Sequence, residues 1–545
     1  MKIFRLCKKY LLKYKYAIAV YVLLMLLSSA LGILSPFIIG NFIDNFVEGA
    51  DVHDIIRFAF IFGAISVIKI VMGYIASVIY VKMQSYMSYA FKLDTINHIQ
   101  SLSLSYINKQ DSAYLTQRIG ADTGSLVSFC VSILQHVISN VVMFVVPFVI
   151  LLSMNVFISV MLLLFFVAYS FLYLFFKNAL YNAGFALKEA QSKFFSSCLE
   201  RLRYVKLIKI NSIHAQMSTR TDAGFTAVKD AAIHNQKVGY TYSGLDGFVS
   251  TIAQIVLFII GGLQILAGNF TIGMFTVFTS YFNMILNSGR YFFGLGAYYQ
   301  QTMVAYDRMA EIFDHKPEQC GSHVINDIAK IELQNLGFTY HTHEGNNGNK
   351  MVINDLSIAF EKGKMYSVAG ANGAGKSTLI NLIMGLYIDE YSGAIRYDDI
   401  DIRQINMWAA REKLIAFSEQ EPLLLNDTIK YNLTFDDKDI SAPDVSRYLS
   451  VLGMEDFISE RTLDFVINEK NTNTSGGEKQ KISILKALYK NSAVMIFDEP
   501  TSALDAQTAK RFMAYLSEIK ENKIIIIITH DANIKEQCDM VLELA

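Results

Sequence analysis

Residues 370–378 read GANGAGKST and fit the pattern G-x-x-x-x-G-K-[ST]. Glycines at this spacing let successive backbone N–H groups converge on one anion, and the lysine that follows adds a positive charge. Gly370, Asn372, Gly373, Ala374 and Gly375 would supply the cradle. Lys376 would reach the β and γ phosphates of a nucleoside triphosphate, Ser377 would hold Mg²⁺, and Thr378 completes the run. A chance glycine-rich turn shares the composition but not the setting. Here an apolar strand-like stretch, MYSVAG, leads in, and a helix-like stretch, STLINLIMGL, leads out. That order puts the glycines at a helix N-terminus, where the backbone dipoles favour negative charge.

A second acidic element follows in AVMIFDEPTSALD, residues 493–505. An apolar strand would deliver Asp498 and Glu499 to its end. Asp498 suits Mg²⁺, directly or through water, and Glu499 suits the polarising of an attacking water. Taken alone, an acidic pair at a strand end is often only a helix start. His530 closes another buried strand, KIIIIITH, where a histidine is more often structural. Gln420 follows the strand-like LIAF, and Tyr340 sits in GFTY ahead of the glycine loop, where its ring could stack on a base. Each of these three carries little weight singly.

The stretch NTNTSGGEKQK, residues 471–481, leaves two readings open. It could be an idle flexible loop. It could also present the amides of Gly476 and Gly477, beside the Ser475 hydroxyl, to an anion from elsewhere.

These elements must be positioned by a chain of 545 residues, too long for one ordinary domain. It is 52% hydrophobic, with a mean hydropathy of +0.32. The 48 basic and 49 acidic residues nearly cancel, so bulk charge gives no sign of a nucleic-acid partner. Five cysteines lie far apart, with no CxxC and no metal spacing. The apolar content is gathered in blocks at 17–43, 55–81, 128–153, 156–176, 244–267 and 272–296. Each is long enough to cross a hydrocarbon core of roughly 30 Å as a helix. Past about residue 320 the blocks stop. The expected organisation is a membrane helical bundle over 1–318, opened by an interfacial N-terminal helix, and a cytosolic α/β P-loop ATPase domain over 319–545.

Loop charge sets the topology. The 44–54 loop holds Asp44, Glu48, Asp51 and Asp54 with no Lys or Arg, whereas 177–243 holds ten Lys/Arg against four acids. By the positive-inside rule the N-terminus and the segments 82–127 and 177–243 face the cytoplasm. Short helices near Ser112–Asp122 and Ile210–Thr221 are the expected pieces that press on the ATPase domain. Within the spans, Lys69, Gln135, His136, Asn140, Gln254, Asn283, Asn287 and Arg290 are candidates for a polar interior, or for bridges between helices.

In order, Tyr340, the 370–378 loop, Gln420, Ser475-Gly476-Gly477, Asp498-Glu499, Asp505 and His530 resemble the nucleotide-binding domain of the ABC transporter superfamily. The whole chain resembles an exporter-type half-transporter, with six spans followed by one ATPase, and AYDRMAEIFD (305–314) is similar to the family's junction after the sixth helix. The resemblance implies ATP and Mg²⁺ as ligands. It gives Glu499, His530 and Gln420 catalytic roles, Ser377, Gln420 and Asp498 to the metal, and Tyr340 and Asp505 to the nucleotide site. It also implies that Ser475, Gly476, Gly477 and Glu478 cap ATP held by a partner domain. The expected partner is therefore a second copy of the chain, with a heterodimer as the alternative. The signature usually reads Leu-Ser-Gly-Gly-Gln; Thr474 and Glu478 replace its ends here. Glu469 holds the place of an exporter coupling acid, while Asn468 and Asn471 stand for family glycines. The resemblance extends to bacterial exporters of antimicrobial peptides, with a lipid or multidrug exporter as the alternative. Membrane lipids are the expected surroundings.

Overall fold

The computed structural model describes residues 2–544, except 111–114, 117, 319, 342–348, 389, 436–441, 469–472 and 503. Glu469 and Asn471 lie outside the described residues, as does part of the stretch 112–122. The chain divides into two compact units. One comprises Met1–Asn97 and Ser112–Asp314; the other comprises His98–Asp111 and His315–Ala545.

The first unit is helical. Among the described residues five helices are long and apolar enough to cross a membrane: Lys15–Val47, Val52–Gln100, Arg118–Met154, Val156–Arg203 and His214–Leu266. The sixth expected span falls in the helix Ile272–Asp314, which is not among those five. Asn283, Asn287 and Arg290 dilute its apolar content. The helices run far past the apolar blocks, because apolar residues continue at helical spacing after the hydropathy falls. Lys2–Lys13 forms a short helix whose buried face is Ile3, Cys7 and Tyr10. Lys9 Nζ and Tyr10 Oη each donate to Asp94, both at 2.8 Å, and tie it to the far part of the second long helix.

Close approaches in this unit use glycine. A Cβ at Gly273 would lie 2.0 Å from the Gly40 carbonyl oxygen, so the first and sixth long helices touch backbone to backbone there. The Gly273 N–H donates to Asp44 at 2.7 Å and the Thr271 hydroxyl donates to the same carboxylate at 2.6 Å, capping the sixth helix.

The second unit is built on two sheets. Strands are numbered in chain order: β1 Lys330–His341, β2 Asn349–Glu361, β3 Lys364–Gly370, β4 Tyr391–Tyr397, β5 Ile400–Asp401, β6 Ile415–Ser418, β7 Val494–Asp498, β8 Ile524–Ile528 and β9 Met540–Leu544. β2-β1-β4-β5 form an antiparallel sheet, and β6-β7-β8-β3-β9 a five-stranded sheet whose pairs are parallel. A parallel strand covered on both faces reads as an unbroken apolar run. The five isoleucines of β8 show why. Ile524, Ile526 and Ile528 enter one core with the Lys376–Ile383 helix, while Ile525 and Ile527 enter another with the helices Gly476–Lys490 and Ala506–Ile519.

Residues 98–111 belong to this unit, a grouping that no linear cut of the sequence anticipates. The Glu318 N–H donates to the Ser101 carbonyl at 2.7 Å, Leu102 bridges Pro317, and Leu104 packs on the first core. Arg411 then holds the Glu318 carboxylate with both guanidinium nitrogens, at 2.9 and 3.1 Å. Within the stretch 112–122, the described residues Arg118–Asp122 form a π-helical turn of the first unit. Its ligature is internal: Arg118 (3.4 Å) and Arg308 (2.9 Å) both pair with Asp122.

Candidate active site

β3 ends at Gly370 and the helix Lys376–Ile383 begins six residues later, so the chain must reverse between them without a regular turn. Gly375 is at φ +93°, and a Cβ on it would lie 2.7 Å from Val352 Cγ1. Both the left-handed backbone and the missing side chain are required there. The loop thereby brings its amides to the helix start.

Tyr340, Val352, Asn372, Gly373, Gly375, Lys376, Ser377, Thr378, Gln420, Asp498, Glu499, Ile528 and His530 line one pocket. The parallel order of the sheet explains this convergence: β3, β6, β7 and β8 all end on the same edge, and each is followed by one of these groups. Lys376 Nζ donates to the carbonyls of Gly370 (2.7 Å) and Ala371 (3.2 Å) and lies 3.0 Å from His530 Nε2. The His530 N–H donates to Glu499 Oε1 at 3.1 Å. The Tyr340 hydroxyl lies 3.1 Å from Thr378 Oγ1, and its ring meets Phe338 edge-on. Ala374 donates its N–H to Ala371 inside the loop.

Burial, and then the negative charge of Glu499, push the Asp498 carboxyl above its usual range, while Lys376 opposes them. A metal ion beside Asp498 would reverse that balance. The hydroxyl of Ser377, the carboxylate of Asp498 and the amide oxygen of Gln420 are hard oxygen donors on one pocket, a set that suits Mg²⁺. Glu499 is only 17% exposed at its side chain and adopts φ +46°, a left-handed conformation that costs a non-glycine residue about 1–3 kcal/mol. Its surroundings hold it there. Its N–H donates to the Ile528 carbonyl (2.9 Å), and its own carbonyl accepts from Gln480 Nε2 (2.7 Å) and Ser502 Oγ (3.0 Å). Gln480 is buried and was not anticipated. A glutamine four residues into a helix carries no local mark of a partner nineteen residues away.

The Ser475 loop lies apart from this pocket. Ser475 caps the fifteen-residue helix Gly476–Lys490 through a reciprocal box: the Glu478 N–H donates to Ser475 Oγ (3.2 Å) and the Ser475 N–H donates to Glu478 Oε2 (2.6 Å). Ser475, Glu478, Thr474, Asn473, Phe465 and Arg461 line a separate open pocket. Among the described residues a Cβ on Gly476 would meet nothing within 4 Å, and its backbone needs no glycine. Asp505 lies off both pockets. It caps the helix Ala506–Ile519, accepting from the N–H groups of Gln507 (3.1 Å) and Thr508 (2.9 Å) and from Thr508 Oγ1 (2.6 Å). Those bonds, the Thr508 hydroxyl first, hold its carboxyl down at about 2.

In the membrane helices, Arg290 pairs with Asp246 (2.9 Å), donates to Ser250 Oγ (2.9 Å) and Asn287 Oδ1 (3.1 Å), and lies over the Tyr169 ring. Gln254 and Asn283 join across helices at 3.4 Å, while Asn140 donates to the His136 carbonyl of its own helix.

Two family models match the chain. One, for the ABC transporter transmembrane region, covers residues 18–288; the other, ABC transporter, covers 353–502 and contains the P-loop, Ser475 and Glu499. The chain belongs to the ABC transporter family. Its second unit is the ABC ATPase, a domain that binds ATP. The membrane half makes this ABC transporter a multi-pass membrane protein. A solved structure described as a bacterial Atm1-family ABC exporter with ATP bound shares the exporter fold, with a TM-score of 0.85 over 97% of this chain and 94% of that one, at 19% identity. Among curated relatives, the Lactococcin-G-processing and transport ATP-binding protein LagD of Lactococcus lactis is 24% identical over 94% of this ABC transporter and 72% of that protein. A putative export ATP-binding/permease protein of Rickettsia felis is 32% identical over 54% of this chain. An ATP-dependent lipid A-core flippase of Vibrio vulnificus is 29% identical, also over 54%. The matched stretches span about half the length of those last two relatives.

Proposed function

We propose that this protein is an ATP-driven exporter that works as a pair of identical chains and moves a peptide out of the cytoplasm. The observation that carries the pairing is Gly476. Among the described residues nothing requires a glycine there, yet the Ser475 hydroxyl and the first amides of a helix stand at an open surface, away from the chain's own P-loop. The requirement then comes from outside: the γ-phosphate of ATP held on another ATPase domain, approaching the helix N-terminus. Lys376 neutralises the β and γ phosphates and Glu499 orients the attacking water, held at its strained backbone by Gln480. Ser377, Asp498 and Gln420 would hold Mg²⁺, which would offset charge on the phosphates. Tyr340 offers its ring to the base, and His530 reaches the γ-phosphate side of the pocket. Closure of the paired domains over bound ATP switches the membrane helices from inward-open to outward-open, and hydrolysis releases the domains.

The peptide cargo rests on the relative named for lactococcin G, whose match runs through both halves of this chain. The lipid A-core flippase matches over about half of it, so a lipid cargo is the second reading. ATPase activity in lipid vesicles that rises with peptides encoded beside the gene, and not with lipid A or dyes, supports the first; the reverse pattern supports the second.

The pairing has its own test. A Lys376→Ala chain keeps its signature helix and loses its P-loop; a Gly476→Asp chain does the opposite. Each should be inactive alone. Mixed one to one, half the pairs contain both chains and each of those holds one intact site of two, so about a quarter of the unmutated ATPase rate should return. Mixing that restores nothing overturns the proposal, as does full activity of either chain by itself.

A further inference from the structure

The signature helix carries a carboxylate, Glu478, at its first turn, facing the side from which the proposed phosphate arrives. The capping box does not call for that charge, since an amide oxygen would accept the Ser475 N–H equally well. A carboxylate there works against the positive potential of the helix start. One cation stands beside it. Arg461 Nη1 lies 3.7 Å from Glu478 Oε1 and donates to the Asn473 carbonyl at 2.9 Å, while the guanidinium rests 4.9 and 5.0 Å from the ring centroids of Phe457 and Phe465. Surface ion pairs contribute little when both side chains are free to move. This arginine is fixed by a hydrogen bond and two aromatic faces, and it still presents a third of its side chain to the pocket it shares with Ser475.

We propose that Arg461 is a positioning residue of the composite ATP site. It offsets the charge of Glu478, so that the amides after Ser475 remain positive toward a phosphate. The inference rests on the two-domain site proposed above, and it assigns the effect to charge rather than to packing. Arg461 itself is the last residue of the helix Glu455–Arg461, which no motif in the sequence singles out.

The test uses the full chain in lipid nanodiscs, with ATPase rate measured against ATP concentration and the thermal midpoint of every variant recorded. Arg461→Gln should raise the apparent KM for ATP about tenfold, with a smaller change in kcat, because the lost term acts on closure over bound ATP. Arg461→Lys, which keeps the charge without the planar fork, should stay within about threefold of the unmutated KM. Arg461→Gln/Glu478→Gln, which removes both charges, should bring the KM down again by at least about threefold from the Arg461→Gln value. Equal losses in the Lys and Gln variants, or no recovery in the double variant, would overturn the charge role, and an unchanged KM in Arg461→Gln would remove any role. If Arg461→Gln does not fold, Arg461→Lys decides alone: a KM near the unmutated value supports the proposal, and a tenfold rise overturns it. The mixing experiment keeps the two readings separate. Failed complementation removes the composite site itself, whereas successful complementation with an indifferent Arg461→Gln removes only this inference.

Discussion

The P-loop pocket and the Ser475 helix are both places where a helix N-terminus can meet a phosphate, yet they are furnished in opposite ways. The first gathers Lys376, Asp498, Glu499, Gln420 and His530 within one pocket at a single sheet edge, where Lys376 Nζ lies 3.0 Å from His530 Nε2 and the His530 N–H donates to Glu499 at 3.1 Å. The second, among the described residues, offers a serine hydroxyl and a helix start whose one carboxylate, Glu478, is engaged in the capping box. One is built to hold and react, the other only to cover. Glycine makes the difference sharp. Gly375 is demanded by its own backbone and by Val352, whereas Gly476 meets nothing among the described residues.

The largest effect expected from this contrast is at Lys376. Lys376→Ala should remove tight ATP binding and lower hydrolysis by at least about 10³-fold, since it deletes the only lysine that lines the pocket among the described residues. Nucleotide binding by a fluorescent ATP analogue and phosphate release would both report it. Gly476→Asp should be nearly as damaging to hydrolysis, by about 10²-fold, but it should leave analogue binding and the thermal midpoint intact, because the new side chain enters open space. A Gly476→Asp protein that binds poorly or melts early would erase the distinction between the two half-sites.

A smaller effect sharpens the same comparison from within the P-loop side. Glu499 keeps its left-handed backbone through the Gln480 amide at 2.7 Å. Gln480→Ala removes one of the two donors to the Glu499 carbonyl, Ser502 Oγ being the other, at about 0.5–1.5 kcal/mol, and loosens the hold on Glu499. The expected reading is a fall in kcat of about tenfold with KM for ATP little changed, a split that simple destabilisation of the domain would not produce.

Where sequence and structure agree, the cause is local. GANGAGKST shows its own purpose because glycine spacing, strand and helix are contiguous, and the unbroken apolar runs of β3, β7 and β8 report burial on both faces. What escaped the sequence is paired across distance. Gln480 supports Glu499 from a different element. Arg290 could be recognised as a charge within a span, but its partner Asp246 stands on another helix. The segment 98–111 reads as the tail of a membrane helix and is claimed instead by the ATPase core through Leu104 and Ser101. Asp505 also caps its own helix through three donors, a role that the resemblance did not name. Those donors are backbone and hydroxyl groups that follow within three residues, so the capping signal was present in D-A-Q-T and was outweighed by the motif around it.

The arm of the comparison with the smallest effect is acid–base, and it sets Asp498 against Asp505. Asp498 has its carboxyl pushed up by burial, so the folded chain holds that proton more tightly than the unfolded chain does. Stability attributable to it is greatest in acid and is lost as pH rises through the usual carboxylate range. Asp505, held at about 2 by the Thr508 hydroxyl and the helix amides, has the opposite sign: its contribution is present above the ordinary carboxylate pKa and fades as pH falls from about 4 toward 2. Thermal midpoints of nucleotide-free protein in detergent between pH 3.5 and 7 would separate them. Asp498→Asn should melt higher than the unmutated chain at pH 7 and lose that advantage at pH 3.5. Asp505→Asn still caps its helix but cannot titrate; it should melt slightly lower than the unmutated chain at pH 7, with the gap narrowing in acid. Adding Mg²⁺ and ATP at pH 7 should erase the difference at Asp498 and leave that at Asp505 unchanged, because only the first carboxylate lines the pocket. A change at both would place Asp505 at the nucleotide as well.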